Sequence, residues 1–321
     1  MTTAFVLSGG GSLGAVQVGM LQALSERNVA PDLVIGTSAG AINAAYVAGR
    51  GSDRQSLEDL AESWRGLRRQ DVFPLDPLRQ MLAFAGARSS LCSNRGLHRL
   101  LETHIAYPTL EDAAIPVHIV ATNLLSGEEV LLSTGDPVSA VLASAAIPGV
   151  LPAVEREGLT LVDGGIADNA ALSQAVALGA DEVYVLPAGF ACALEQPPTT
   201  ALATAMQALT LLIEQRLVIE VAHFTERARI KVLPPLCPLA VSSIDFSHAG
   251  ELIERARRAT GAWIDSGGPT LPAPERFLSL HHDTRERATA EQQGAAHGQP
   301  LTIRQPSTPN HNLTPTNAPS S

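Results

Sequence analysis

A serine hydroxyl and a carboxylate make a hydrolytic pair only if the fold delivers one to the other, and this 321-residue chain carries both in telling settings. Gly36-Thr37-Ser38-Ala39-Gly40 fits G-x-S-x-G directly after a short apolar run, Leu33–Ile35, and directly before a small-residue helical pattern, Ala39–Ala48. In a strand–turn–helix setting this motif presents the serine hydroxyl clear of the backbone. Gly36 and Gly40 relieve crowding where helix and strand pack. A serine is a poor nucleophile without a base. Leu161-Val162-Asp163-Gly164-Gly165 sets a carboxylate just past the expected strand Thr160–Val162, at the end where active-site groups of α/β sheets collect. Asp163 is a candidate to take the Ser38 proton directly, provided burial strengthens a group whose ordinary pKa is near 3.9. The plainer reading of Asp163-Gly164 is a turn. A serine–histidine–aspartate triad stays open, because His118, His223, His248 and His281 all follow the serine.

The third candidate is Ser8-Gly9-Gly10-Gly11-Ser12-Leu13-Gly14. Gly9, Gly11 and Gly14 satisfy G-x-G-x-x-G, so dinucleotide binding has to be weighed. That fold needs an acid at the C-terminal end of the second strand. Asp32 instead precedes Leu33–Ile35, a strand length on the order of 10 Å from where a ribose would sit. Consecutive glycines after a strand instead let backbone N–H groups face a cavity, a nest for an anion or a developing oxyanion.

These loops need elements to hold them. Phe5–Ser8, Leu33–Ile35, Val117–Thr122, Val130–Ser133, Thr160–Val162 and Val183–Pro187 read as strands, with a turn at Ser126-Gly127. Ala15–Glu26, Ala39–Ala48, Ala170–Leu178 and Ala201–Phe224 read as helices. Asn169 and Gly179 stand where the caps of the third belong. The core stripe of the fourth is Leu209, Leu212, Ile213, Leu217 and Val221. Such alternation predicts an α/β fold, a three-layer α/β/α sandwich with a largely parallel central sheet. Trp64–Ile105 reads as helical, either ordinary core or a cap, residues 64–105, over a lipid-sized pocket. Its Phe73, Leu75, Leu78, Met81, Leu82 and Phe84 suit core or membrane contact equally.

Composition narrows the field. A formal net charge of −10 argues against a nucleic-acid partner, which calls for a basic stripe. It also argues against docking on anionic membranes by charge alone. Cys92, Cys192 and Cys237 are too few and too scattered for a disulfide framework or a zinc site. No stretch approaches a membrane span, and Met1–Leu7 lacks the features of a secretion signal, so a cytoplasmic location is expected. The Pro/Ser/Thr-rich stretch 268–321 cannot bury enough surface to order itself. A folded domain over 1–267 is therefore expected to carry the whole charge.

The glycine loop, the serine elbow and Asp163-Gly164-Gly165, in that order, resemble the patatin-like phospholipase family. Thr122-Asn123 with Gly127-Glu128, and Ala143-Ser144-Ala145-Ala146-Ile147-Pro148, add softer matches. Ser8, where many members have aspartate, and Asp-Gly-Gly in place of Asp-Gly-Ala depart from the pattern without removing a catalytic group. The resemblance implies hydrolysis of lipid acyl esters by a Ser38–Asp163 dyad, with the Gly10 and Gly11 amides holding the oxyanion and no metal or cofactor. A lipid or acyl-ester substrate and transient membrane contact are the expected partners. A catalytically silent lipid-binding or regulatory relative is the alternative.

Overall fold

Phe5, Val6 and Leu7 are covered on both faces, which marks their strand as interior to a parallel sheet. The computed structural model describes residues 1–189, 197–224 and 227–270. In chain order the elements are β1 (Thr3–Leu7), α1 (Gly14–Ser25), β2 (Leu33–Thr37), α2 (Ala39–Arg50), α3 (Arg54–Gly66), α4 (Arg69–Val72), α5 (Pro77–Phe84) and α6 (Arg95–His104). They continue with β3 (Val117–Asn123), β4 (Glu129–Leu132), α7 (Pro137–Ser144), β5 (Val154–Arg156), β6 (Leu159–Asp163), α8 (Leu172–Ala177), β7 (Glu182–Leu186), α9 (Ala201–Phe224), β8 (Arg229–Val232) and α10 (Ala249–Asp265).

The sheet order is β5-β6-β3-β2-β1-β7-β8, with β4 also paired to β3. From β3 through β8 every pairing is parallel, while β4, β5 and β6 pair antiparallel. Successive side chains of a strand point to opposite faces, so Phe5 and Leu7 join α1, α2, α3, α6, α7 and α10 in one apolar layer. Ala4 and Val6 join Leu172 and Ala175 of α8 and Leu217 and Val221 of α9 in the other. This is the expected sandwich, with a mixed sheet.

Several local expectations change. The strand at Thr160–Val162 runs antiparallel, because it is the second arm of the β5–β6 hairpin. Asn169 does not cap α8. Asp168 Oδ1 instead accepts from Ala170 and Ala171 N–H, and the helix starts only at Leu172. Leu212 is exposed rather than on the core stripe, since only part of α9 is pressed against the sheet; the Ile213 side chain lies outside the described residues. Residues 64–105 form several short helices, broken at Leu67 and around Pro74. Within them Phe73 is buried, Leu82 is half-buried, and Leu75, Leu78, Met81 and Phe84 are exposed. Apart from the turn Gly268–Thr270, the expected tail lies outside the described residues, as do His281 and Cys192.

One contact fixes where the serine turn sits. A Cβ on Gly40 would lie 2.1 Å from the Leu7 carbonyl oxygen, so α2 meets the end of β1 with no room for a methyl group. Gly40→Ala should lower the unfolding free energy by about 1–3 kcal/mol, measured by urea denaturation.

Candidate active site

Ser38 occupies the turn between β2 and α2 with φ 53° and ψ −118°. A non-glycine residue is held there only when its surroundings over-determine it, because the conformation costs about 1–3 kcal/mol. The holding contacts are visible. Ser38 N–H donates to Ser144 Oγ at 2.8 Å, and the Ser38 carbonyl accepts from Ala41 N–H, 3.0 Å, in the first turn of α2.

Asp163 arrives from the opposite direction. β2 pairs with β3 up to Thr37 opposite Val120, and antiparallel β6 pairs with β3 down to Asp163 opposite Ala121. Because β4 covers Ile119 to Thr122 on the other side, β2 and β6 share one edge of β3 and end against each other. Ser38 Oγ–H donates to Asp163 Oδ2 at 2.7 Å, and Gly165 N–H donates to Oδ1 at 2.9 Å. Asp163 N–H donates to the Ala146 carbonyl. Thr122 Oγ1 donates to the Asp163 carbonyl and accepts from Ala167 N–H. A Cβ on Gly164 would lie 2.2 Å from Val120 O, so the turn after the aspartate lies flat on β3. Burial pushes the Asp163 carboxyl up to about 6, against the opposing hydrogen bonds from Ser38 and Gly165. A hydroxyl thus faces a proton acceptor strengthened by removal from water.

The glycine loop closes the third side. Gly9 N–H donates to Asn169 Oδ1 at 2.8 Å, and Ser12 N–H to the Ser243 carbonyl at 2.8 Å. Gly11 has φ +59°, and a Cβ there would lie 2.3 Å from Ser243 O, so only glycine fits. Among the hydrogen bonds of the described residues, none uses the Gly10 or Gly11 N–H. Gly9, Gly10, Gly11, Ser38, Asp163 and Asn169 wall a cavity of about 40 Å³, with Ile147, Leu209, Thr210 and Ser243. Gly14 and Gly36 stand behind it, where a Cβ would meet the Trp64 ring and Gly40 O respectively.

The other candidates lie elsewhere. His118 bonds Ser133 Oγ, His223 packs edge-on to Phe224, and His248 sits beside Asp245 and Glu251. Ser38 Oγ–H donates directly to Asp163 with no imidazole between them, and these three histidines make their contacts elsewhere, so they form no triad with the pair. Asp32 accepts from Thr3 N–H at 2.7 Å, at the rim of the sheet opposite the glycine loop, which removes the dinucleotide reading.

The profile of the patatin-like phospholipase family matches residues 5–176. This chain belongs to that family. Patatin-like phospholipase domain-containing protein 6 of Mus musculus is 31% identical over 193 residues, 59% of this chain and 14% of the relative. Lysophospholipase NTE1 of Mycosarcoma maydis is 29% identical over 197 residues, 59% of this chain and 10% of the relative. An uncharacterized NTE family protein of Mycobacterium tuberculosis is 31% identical over 180 residues, 56% of this chain and 46% of the relative. The chain therefore spans less than half the length of these curated relatives. Among solved structures, VipD from Legionella pneumophila has a TM-score of 0.46 at 17% identity, covering 83% of this chain and 67% of its own.

Within this patatin-like fold, several supporting residues carry little sequence signal. Ser144 and Thr122 lie in the softer family matches and turn out to hold the two turns. A buried chain of amides was not legible at all: Trp64 Nε1 donates to Asn43 Oδ1, Asn43 Nδ2 to Gln17 Oε1 and Gly14 O, and Gln17 Nε2 to Ser8 O and Leu186 O. It anchors the start of the glycine loop to three helices.

A carboxyl raised to about 6 in the fold binds its proton more tightly there than in the unfolded chain. Stability contributed by that proton is present below the unfolded pKa and is lost as pH rises through about 6. Asp163→Asn should therefore be more stable than the parent by about 1–3 kcal/mol near pH 8, with the gap closing by about pH 4. Urea denaturation across that range measures it.

Proposed function

We propose that this chain is a serine lipid acyl hydrolase whose dyad is Ser38 and Asp163. The observation that carries the reading is the 2.7 Å bond from Ser38 Oγ–H to Asp163 Oδ2, made by a serine on a strained turn to a carboxylate of raised pKa. Ser38 Oγ attacks the ester carbonyl while Asp163 takes its proton. The oxygen that gains charge is held by the Gly10 and Gly11 amides, and Asp163 returns the proton to the departing alcohol. Water then enters and gives a proton to Asp163 as its oxygen attacks the acyl carbon; the bond to Ser38 Oγ breaks, Asp163 passes the proton to that oxygen, and the fatty acid is released.

The acyl side of the site is apolar. A second cavity, about 30 Å³, opens from Ser38 and Gly11 between Ile42, Trp64, Leu67, Phe73 and Phe246. A third, also about 30 Å³, shares Ile42, Trp64 and Leu67 with it and leads toward Tyr46 and His104. Such walls suit an alkyl chain and offer little to a charged substrate. In this reading residues 1–267 form the hydrolase domain and 64–105 its cap. Exposed Leu75, Leu78, Met81 and Phe84 give this acidic domain an apolar face for transient contact with a lipid surface.

Ser38→Ala and Asp163→Asn should each abolish turnover of a nitrophenyl ester, and Ser38→Ala should also abolish labelling by a fluorophosphonate. In the parent, kcat/KM should fall as pH drops through about 6, as the base becomes protonated. Wild-type turnover in both variants would sink the dyad. A protein that turns over no ester and resists labelling would be the silent relative. Ile42→Trp, which fills the wall shared by the two apolar cavities, should spare short-chain esters and cut turnover of long-chain esters about tenfold or more. An acyl-length series measures this.

A further inference from the structure

Asn169 stands where the sequence pattern places a helix cap, yet the helix begins only at Leu172 with no side-chain cap, and the Asn169 side chain instead faces the glycine loop. It is 2% exposed and lies in the wall of the cavity that holds Ser38 and Asp163. Its orientation is fixed by chemistry. Gly9 N–H can only donate, so the amide atom 2.8 Å from it is the oxygen. The amide nitrogen is therefore directed elsewhere, and it is buried with no hydrogen-bond partner among the described residues. Buried side-chain donors are nearly always paired, and an unpaired one calls for an explanation.

The neighbourhood supplies one. A Cβ on Gly9 would lie 2.7 Å from Asn169 Oδ1 and 3.0 Å from Ser38 Cβ, so the amide, the glycine loop and the serine are packed against one another. Asn169 follows Asp163 by six residues through a turn braced by several hydrogen bonds. Asp168 N–H and Ala167 N–H both donate to the Gly164 carbonyl, and Gly165 N–H donates to Asp163 itself. The amide is thereby held rigidly relative to both members of the pair.

We infer that Asn169 is a further donor to the reacting ester. Its Oδ1 anchors the glycine loop through Gly9, and its Nδ2 donates to the ester oxygen in the cavity as negative charge gathers there. This rests on the proposed Ser38–Asp163 reading, because it gives the orphaned donor the developing charge beside that serine as its partner. The ligand class is an oxygen ester seated with its carbonyl toward the glycine loop.

The test uses the full chain and a soluble nitrophenyl ester. Asn169→Asp keeps an oxygen for Gly9 N–H and nearly the same shape but has no donor. It should lower kcat about 100-fold with KM changed less than about threefold. The deficit should persist from about pH 6 to pH 9, because a mere further rise in the Asp163 pKa would be relieved at high pH. Asn169→Ala should show the same kcat loss together with a lower melting temperature, since the Gly9 anchor goes as well. Either variant retaining wild-type kcat, a deficit that vanishes at high pH, or a loss confined to KM would overturn the inference. Ser38→Ala separates the two levels. If it is inactive while Asn169→Asp is fully active, only the Asn169 role fails. If it stays active, the dyad reading fails and this inference with it.

Discussion

Everything at the candidate site depends on one edge of β3 being shared by two strands that run toward each other. β2 ends at Thr37 opposite Val120, and β6 ends at Asp163 opposite Ala121. Adjacent register positions on one strand thus become adjacent functional groups, although 125 residues separate Ser38 from Asp163. Hydrogen-bonded register is hard to shift, since slipping one residue turns every side chain to the wrong face. The separation of hydroxyl and carboxylate is set by the ladder rather than by loop flexibility. A mixed sheet is therefore required: a β6 running parallel to β3 would carry Asp163 away from β2 instead of into its end.

Around that meeting point the fold accepts local costs and offsets them with specific partners. Ser38 keeps a left-handed backbone with help from Ser144, and Asp163 stays buried because Ser38 and Gly165 donate to it. The glycine loop is held from outside, by Asn169, Ser243 and the Gln17–Asn43–Trp64 chain. Holding the loop through Gly9 and Ser12 leaves the two amides between them available. Rigid support around unsatisfied donors is what electrostatic preorganisation requires.

The motifs were legible because each is short, contiguous and tied to one turn. Gly36 to Gly40 and Asp163 to Gly165 announce themselves by the residue types that tight strand ends require. The strands β1, β2 and β7 were legible because burial on both faces leaves unbroken apolar runs. What escaped was set by distant partners. Asn43 and Gln17 look like ordinary polar positions in small-residue helices, and only three-dimensional packing pairs them with Trp64. Asn169 reads as a cap because Asx residues favour helix starts, but Asp168 holds the Ala170 and Ala171 N–H groups and delays the helix to Leu172. Residues 64–105 read as one helical stretch, since periodicity alone cannot show that Leu67 and Phe73 turn inward while Leu78 and Phe84 do not.

The cavities on either side of Ser38 have a consequence for the order of traffic. One is walled by the glycine loop, Asp163 and Asn169, the other by Trp64, Phe73 and Phe246. Under the proposed chemistry the alcohol would depart through the cavity that holds the carboxylate while the acyl chain stays lodged between Trp64, Phe73 and Phe246. Among the described residues, the cavity that borders the carboxylate is then the one the alcohol has just quitted. Incoming water, or a second alcohol, would have to queue for that same doorway. A domain built this way would decide between cleaving a lipid and handing its acyl group to another acceptor by who arrives first beside the carboxylate.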